Sequence, residues 1–320
     1  MWSMAGNIAS VALWVAASDF RTFLASRIVG GLSEGNVQLA MAIATDISDE
    51  KQRGSTMALV GACFSIAFTF GPALGAALSN VELFKSNPFG AAAGFSLLLI
   101  VTETAYLYAA LPETLPPPAA ANGTADKSEK DKNKSVERTN SHALLNFTHL
   151  AFIFFFSGME FSLTFMTYDL FGYEAKDNGK LLGFIGLVAS ILQGGVTRRM
   201  KPLRVVQLGV TSCVAAFFIL GRLQTVGMLY VAAALLAVTS ATVVTGLNSL
   251  SSFEANEGER GNKLGSHRSF GQVGRMLGPL AFCSLYWWAG RDVAYTIGGA
   301  GMTAVAAMVF SSLKMPKSMK

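Results

Sequence analysis

The chain has 320 residues, of which 52% are apolar and only 14% charged, against about 25% charged residues in an ordinary globular protein. Three cysteines and three histidines nearly exclude a disulfide scaffold or a His/Cys-rich metal cluster. A net charge of +5, scattered along the sequence, does not mark a nucleic-acid binder. The composition is that of a polytopic membrane protein.

A helix needs about 20 apolar residues to cross the hydrocarbon layer. In chain order such stretches are predicted at 3–18, 21–44, 54–79, 89–111, 149–169, 179–197, 203–221, 226–249, 264–288 and 292–313. The runs are continuous and do not alternate with period two, so helices are expected and barrel strands are not. No positive charge precedes the first run, which argues against a cleaved signal peptide. Cys63, Cys213 and Cys283 all lie inside apolar runs and read as small hydrophobes.

Lys and Arg set the orientation. With the N-terminus inside, the cytoplasmic segments carry sixteen basic residues and the external ones six. Both termini are therefore expected in the cytoplasm, including the tail 314–320. One segment differs in kind. From Pro112 to about Thr148 the chain is polar and rich in Pro and charge, a composition unable to bury a core, so 112–148 is expected to be a flexible cytoplasmic linker. The sequons at Asn122 and Asn146 would then face the cytosol and stay unglycosylated.

The two sides of the linker share a pattern. Arg53-Gly54 leads after 18 residues into Gly71-Pro72, and Arg260-Gly261 leads after the same 18 into Gly278-Pro279, an offset of 207. Parallel repeats of this kind build two-lobed transporters. The same offset carries 149–169 and 179–197 to positions before residue 1. Two helices of the first half thus lack a counterpart, through lobe asymmetry or through an N-terminally incomplete product of a twelve-helix protein.

Two motifs give the chain a resemblance to the major facilitator superfamily. Arg27-Ile-Val-Gly-Gly31 resembles the family's fourth-helix pattern, and Gly61 through Gly71-Pro72-Ala-Leu-Gly75 resembles its antiporter-type fifth helix. Asp46, Arg53 and LPETLP at 111–116 fit the cytoplasmic ends of helices four to six. The strings SRIVGGLSEGN (26–36) and SGMEFSLTF (157–165) are similar to the eukaryotic tetracycline-transporter-like branch of drug:H⁺ antiporters, which is associated with organic anion efflux. The resemblance implies an all-α, two-lobed bundle with ten of twelve transmembrane helices. Residues 1–111 would form an incomplete N-terminal lobe, equivalent to helices three to six, and 149–313 a six-helix C-terminal lobe. There are departures. The Gly-x-x-x-Asp-Arg loop between helices two and three is absent, its second-half counterpart has Arg198 in place of an acid, and Glu34 stands where a small residue is common.

Charges inside the spans are the sharper signal, since each costs about 2.5–3.5 kcal/mol at a helix centre on the lenient scale. At 1.5 Å per residue, Glu160 and Arg275 lie about 16 Å into their helices and Glu34 about 20 Å, all near the midplane. Glu160 is read either as a proton-coupling carboxylate or as a static partner of Arg27 or Arg275. Arg27 is expected to partner an acid, Glu34 to pair with Arg27 or join a relay, and Glu103 to be a buried structural carboxyl. Arg275 is the candidate to meet an anionic substrate, because guanidinium matches carboxylate. Tyr106, Tyr168, Tyr286, Trp287 and Trp288 are candidate apolar walls, with the two tryptophans also fitting an interfacial belt. Gln193 and Asn248 are candidate neutral polar contacts. Gly71, Pro72, Gly75, Gly278 and Pro279 are read as helix bends used in gating or as packing kinks. Gly31-x-x-x-Gly35 and Gly71-x-x-x-Gly75 are expected to permit close helix approach. The three histidines have no catalytic partner in view.

The expected function is proton-coupled antiport of small amphipathic organic molecules, organic anions or drugs, by alternating access. A non-transporting membrane interaction or assembly partner, a truncated inactive product and a passive facilitator are the alternatives. No enzyme chemistry is expected. Neither a metal nor a cofactor is expected, the proton gradient serving as driving force. The expected partners are a small-molecule substrate and the lipid bilayer, with no nucleic acid, and a monomeric state is expected.

Overall fold

Capping residues, prolines and glycines decide where the apolar runs become helices. The computed structural model describes residues 2–48, 50–79, 81, 87, 89–111, 139–255 and 259–317. The linker segment 112–138, with LPETLP and Asn122, falls outside them, as do Glu257 and the side chains of Asp46, Arg53, Pro72 and Arg198. The described residues are all-α. In order they form α1 Trp2–Val15, α2 Phe20–Ser33, α3 Asn36–Asp46, α4 Glu50–Ser79 and α5 Gly90–Ala110. After the linker come α6 His142–Phe171, α7 Ala175–Gly195, α8 Pro202–Gly221, α9 Val226–Phe253, α10 Arg260–Ala289 and α11 Arg291–Ser312. Five of them, α5, α6, α8, α9 and α11, are long and apolar enough to cross a membrane.

The chain forms two compact units, one of residues 1–43 and 70–122, the other of 44–69 and 123–320. In the first unit α1 packs on α2 and α5. Small residues bring α1 and α2 together: Ser10 Oγ donates to Ser26 O at 2.7 Å, and a Cβ on Gly30 would meet Ser10 Oγ at 2.7 Å. A Cβ on Gly6 would collide with Ser33. Asn87 closes the far end of α1, its Nδ2 donating to Trp14 O at 2.9 Å and Val15 O at 3.2 Å, which satisfies carbonyls the helix leaves open.

The span expected over 21–44 is two helices. The chain leaves α2 at Glu34, whose ψ is 94°, and restarts at Asn36 after Gly35. Ser3 bridges the break, donating to Ser33 O and accepting from Gly35 N–H at 3.0 Å. A polar residue followed by glycine, the weakest non-proline helix former, is the local cause. The seven-residue spacing of Arg27 and Glu34 therefore does not put both on one helical face. The glycines expected at close approaches behave differently as well. Among the described residues nothing lies within 4 Å of a Cβ placed on Gly31, Gly71 or Gly75.

The second unit is built on the pairs α6–α10, α8–α9, α8–α11 and α7–α9. Its core holds Met159, Val210, Phe217, Leu220, Phe282 and Tyr295. The buried Tyr295 hydroxyl is 2.9 Å from Ser162 Oγ, and its ring stands edge-on to Phe282. Helix α6 ends at Gly172, whose φ of +65° lets its N–H turn back to Tyr168 O at 2.9 Å. Pro202 opens α8, where the missing N–H costs nothing.

Residues 139–148, expected to belong to the flexible linker, are packed and largely helical. Asn140 is buried and α6 starts at His142. The reason is Glu254, at the end of α9, whose buried carboxylate accepts from Thr139 N, Asn140 N and Asn140 Nδ2 at 2.8, 2.9 and 2.7 Å. The sequon asparagine Asn146 is buried within α6, which closes it to a glycan whatever side it faces.

Candidate charged site on α6 and α10

Helices α6 and α10 cross on a glycine ridge. A Cβ on Gly274 would meet Leu150 O at 2.5 Å and Phe154 N at 3.0 Å, and one on Gly278 would run into Phe154 O. From the other side, Gly158 lies under Phe282, its added Cβ 2.5 Å from the Phe282 Cβ. The spacing 271, 274, 278 puts these glycines on one stripe of α10. Gly278, expected as a bend, is thus a point of backbone contact with α6, and Pro279 follows it inside α10.

This tight crossing positions the charged pair. Arg275 Nη2 lies 3.6 Å from Glu160 Oε2, so two of the intramembrane charges singled out in the sequence meet each other. The side chains are 43% and 31% exposed, yet Glu160 Oε2 itself is turned inward and among the described residues no hydrogen bond reaches it. At 3.6 Å the contact is an ion pair without a formed hydrogen bond. Such a pair is held by charge alone, and either a proton on the carboxylate or a competing anion at the guanidinium will part it.

The other expected site residues lie elsewhere. Arg27, in the first unit, places its guanidinium carbon 4.8 Å from the Trp14 ring centre and 5.5 Å from that of Phe23, a cation–π setting, while Nε donates to Ser26 Oγ at 3.2 Å. Glu34 sits at the break between α2 and α3, and Glu103 is exposed on α5 together with Tyr106. Glu103 had been expected to be buried. Tyr168 is exposed on α6, and Trp287 and Trp288 on α10, whereas Tyr286 is buried. Gln193 and Asn248 are buried in α7 and α9. The side-chain amide of Gln193 and the Thr245 hydroxyl converge on Gly61 of α4, where an added Cβ would meet them at 2.9 and 2.8 Å. The Gln193 amide thus packs against α4, and neither buried amide is exposed as Arg275 is.

Two constellations are new with respect to the sequence. One is the clamp of Glu254, Asn140 and Lys314. The other is a stacked pair of histidines, His149 of α6 and His267 of α10, with ring centres 4.3 Å apart. His149 and His267 are 118 residues apart, so no local spacing signals the pair.

A family model described as Major Facilitator Superfamily matches residues 1–279. The chain belongs to the major facilitator superfamily. Within it, the chain is 32% identical over 322 residues to mouse major facilitator superfamily domain-containing protein 10, covering 94% of this chain and 69% of the relative. It is 22% identical to a class E tetracycline resistance protein of Escherichia coli, covering 89% and 70%. The crystal structure of the human organic anion transporter MFSD10 (TETRAN) superposes with a TM-score of 0.83 at 29% identity, covering 96% of this chain and 75% of that one. As a major facilitator the chain is a multi-pass integral membrane protein of a transporter family.

Proposed function

We propose that the chain is a secondary active transporter that exchanges protons for small amphipathic organic molecules by alternating access, with both termini in the cytoplasm. The observation that carries this reading is the Arg275–Glu160 pair at 3.6 Å on the glycine-packed α6–α10 crossing. A proton on Glu160 removes one charge and releases Arg275. A substrate bearing a cation or a hydrogen-bond donor competes with that proton for the carboxylate, and competition at one group is what exchange requires. The relationship to a tetracycline resistance protein supports that substrate class. The orientation rests on the basic residues of the loops.

A second reading concerns anions and is favoured by the exposure of Arg275 and by the similarity to an organic anion transporter. An organic carboxylate on Arg275 displaces Glu160, and a proton on Glu160 favours that displacement. Proton and anion then bind together, so an anion would be driven in the same direction as the proton.

Flux in proteoliposomes under an imposed pH gradient tests both. For a cationic or neutral substrate, uptake should rise when the lumen is acidic; for an anion it should rise when the outside is acidic. Glu160→Gln should abolish either response while leaving downhill flux, and Arg275→Gln should remove anion flux. A Glu160→Gln protein that still follows the pH gradient overturns proton coupling at this site.

A further inference from the structure

We propose that Arg268 is a second anion-binding group, two turns from Arg275 toward the start of α10, and that the two arginines together hold an elongated organic dianion with one acid group on each. The inference rests on the anion reading of Arg275 given above and adds a second contact to that site.

Helix α10 divides its surface into three faces. Gly271, Gly274 and Gly278 are buried against α6. Phe270, Val273, Leu277 and Leu280 are exposed and apolar, spaced at three and four along a second stripe. The third face is polar. Arg268, Gln272 and Arg275 follow one another at spacings of four and three, which stacks them on one side of the helix. Arg268 is half-buried, and Gln272 and Arg275 are exposed. The stretch lies before Pro279, in regular helix. At 1.5 Å per residue the rise from Arg268 to Arg275 is about 10 Å.

Charges along this contact do not balance. Helix α10 carries Arg260, Lys263, Arg268 and Arg275 and no acid, and α6 has no acid between its start and Glu160. Glu160 meets Arg275. At the same end α9 finishes in Glu254, whose carboxylate is taken up by Thr139 and Asn140. Such a surplus of cations is costly in a membrane-spanning helix unless it faces water or an anion. Arginine offers five N–H donors in a planar fork, so a guanidinium engaged on one edge still presents another to a carboxylate. Gln272, between the two, offers its amide to a polar group in the middle of the ligand. A monoanion uses Arg275 alone, whereas a dianion with its acids about 10 Å apart uses both arginines.

Two rigid probes of the same shape test this. Biphenyl with a carboxylate at each para end holds its acids about 10 Å apart, the rise between the two arginines. Biphenyl with a single para carboxylate is the monoanion. The affinity of each for the purified full-length protein in an uncharged detergent is read from the rise of the unfolding midpoint with ligand concentration. Wild type is expected to bind the dianion on the order of tenfold more tightly, through the added charge-assisted contact. Arg268→Gln should bring the two probes to one affinity. Arg268→Lys should keep part of the difference, because the charge stays and the fork is lost. Arg275→Gln should weaken both probes. A dianion bound no more tightly than the monoanion by wild type, or an advantage that survives in Arg268→Gln, overturns the proposal. So does an Arg268→Gln protein that loses affinity for both probes in equal proportion, the mark of a structural role. The anion reading of Arg275 fails by a different result, an Arg275→Gln protein that binds the monoanion as wild type does, and the proposal then falls with it. Should Arg268→Gln not fold, Arg268→Lys decides, and an undiminished advantage of the dianion overturns the proposal.

Discussion

Asn140 and Lys314, 174 residues apart, are joined by two hydrogen bonds in the manner of paired strands: Asn140 Nδ2 donates to Lys314 O and Lys314 N–H donates to Asn140 Oδ1, each at 2.8 Å. The same Nδ2 donates to Glu254. One amide side chain thus ties the start of α6 to the last residues of α9 and to the chain leaving α11. Replacing it by alanine leaves an N–H, a carbonyl and part of a carboxylate without their partner. Each buried group so abandoned costs about 1–3 kcal/mol. Asn140→Ala is expected to lower the unfolding midpoint in detergent by about 4–8 °C, measured by differential scanning fluorimetry. A shift within error would show that water replaces the amide without loss.

Glu254→Gln probes the same clamp differently. The carboxylate accepts three N–H groups, and a glutamine amide offers one oxygen and turns its NH₂ group against a donor. Charge-assisted bonds are about twice as strong as neutral ones, so the change should be felt first where the linker is held. Amide exchange at Thr139 and Asn140 should accelerate at least on the order of tenfold, while the middle of α8 keeps its protection. Unchanged exchange at both amides would mean that the helix start alone orders the linker.

The glycines divide into two sets with opposite expected outcomes. At Gly274 a methyl group meets the backbone of Leu150 and Phe154, atoms that cannot turn aside as a side chain can. Gly274→Ala is expected to cost about 1–3 kcal/mol and to push Arg275 away from Glu160. Gly71→Ala and Gly75→Ala meet nothing within 4 Å among the described residues and should be neutral or slightly stabilising, because alanine is the better helix former by about 1 kcal/mol. Thermal unfolding of the three variants side by side distinguishes the sets. Equal losses would contradict the assignment of α6–α10 as the tight crossing.

Hydropathy makes the helices legible because bilayer thickness imposes their length: the predicted spans and the observed helices differ by a few residues at most ends. Family motifs made the superfamily legible, and intramembrane cost pointed to Glu160 and Arg275 before their contact was seen. What hydropathy misses is polar and local. The break at Glu34–Gly35 is hidden in an apolar run, since its hydrogen bonds come from Ser3 on another helix. The early start of α6 depends on Glu254, 112 residues beyond the His142 it also holds. The histidine pair needs the rotation of α10 against α6, which the stripe Gly271, Gly274, Gly278 sets. That stripe, at spacings of three and four, was readable as a contact face, whereas Gly-Pro drew the attention to a bend.

Asp19 gives a pH dependence whose sign can be worked out. It is the N-cap of α2, lies between α1 and α2, and accepts from Thr22 N–H at 2.8 Å. Hydrogen bonds from the Thr22 side chain and then its backbone hold the Asp19 carboxyl below the ordinary carboxylate range. The folded state therefore binds a proton less readily than the unfolded chain. Its stabilisation is fully present above the unfolded value, about 3.9 for aspartate, and is lost as pH falls through the lower, folded one. Asp19→Ala should melt below wild type at neutral pH, and the gap should narrow progressively as the pH falls below the ordinary aspartate value and through the lower, folded one. Asp19→Asn keeps an acceptor for the Thr22 N–H without a titrating group, so its margin over Asp19→Ala should persist through the same acid range. Melting curves of the three proteins in an acid-tolerant detergent, compared at matched ionic strength, separate a capping carboxylate from a merely exposed one. In the latter case the wild-type and alanine curves run parallel at every pH.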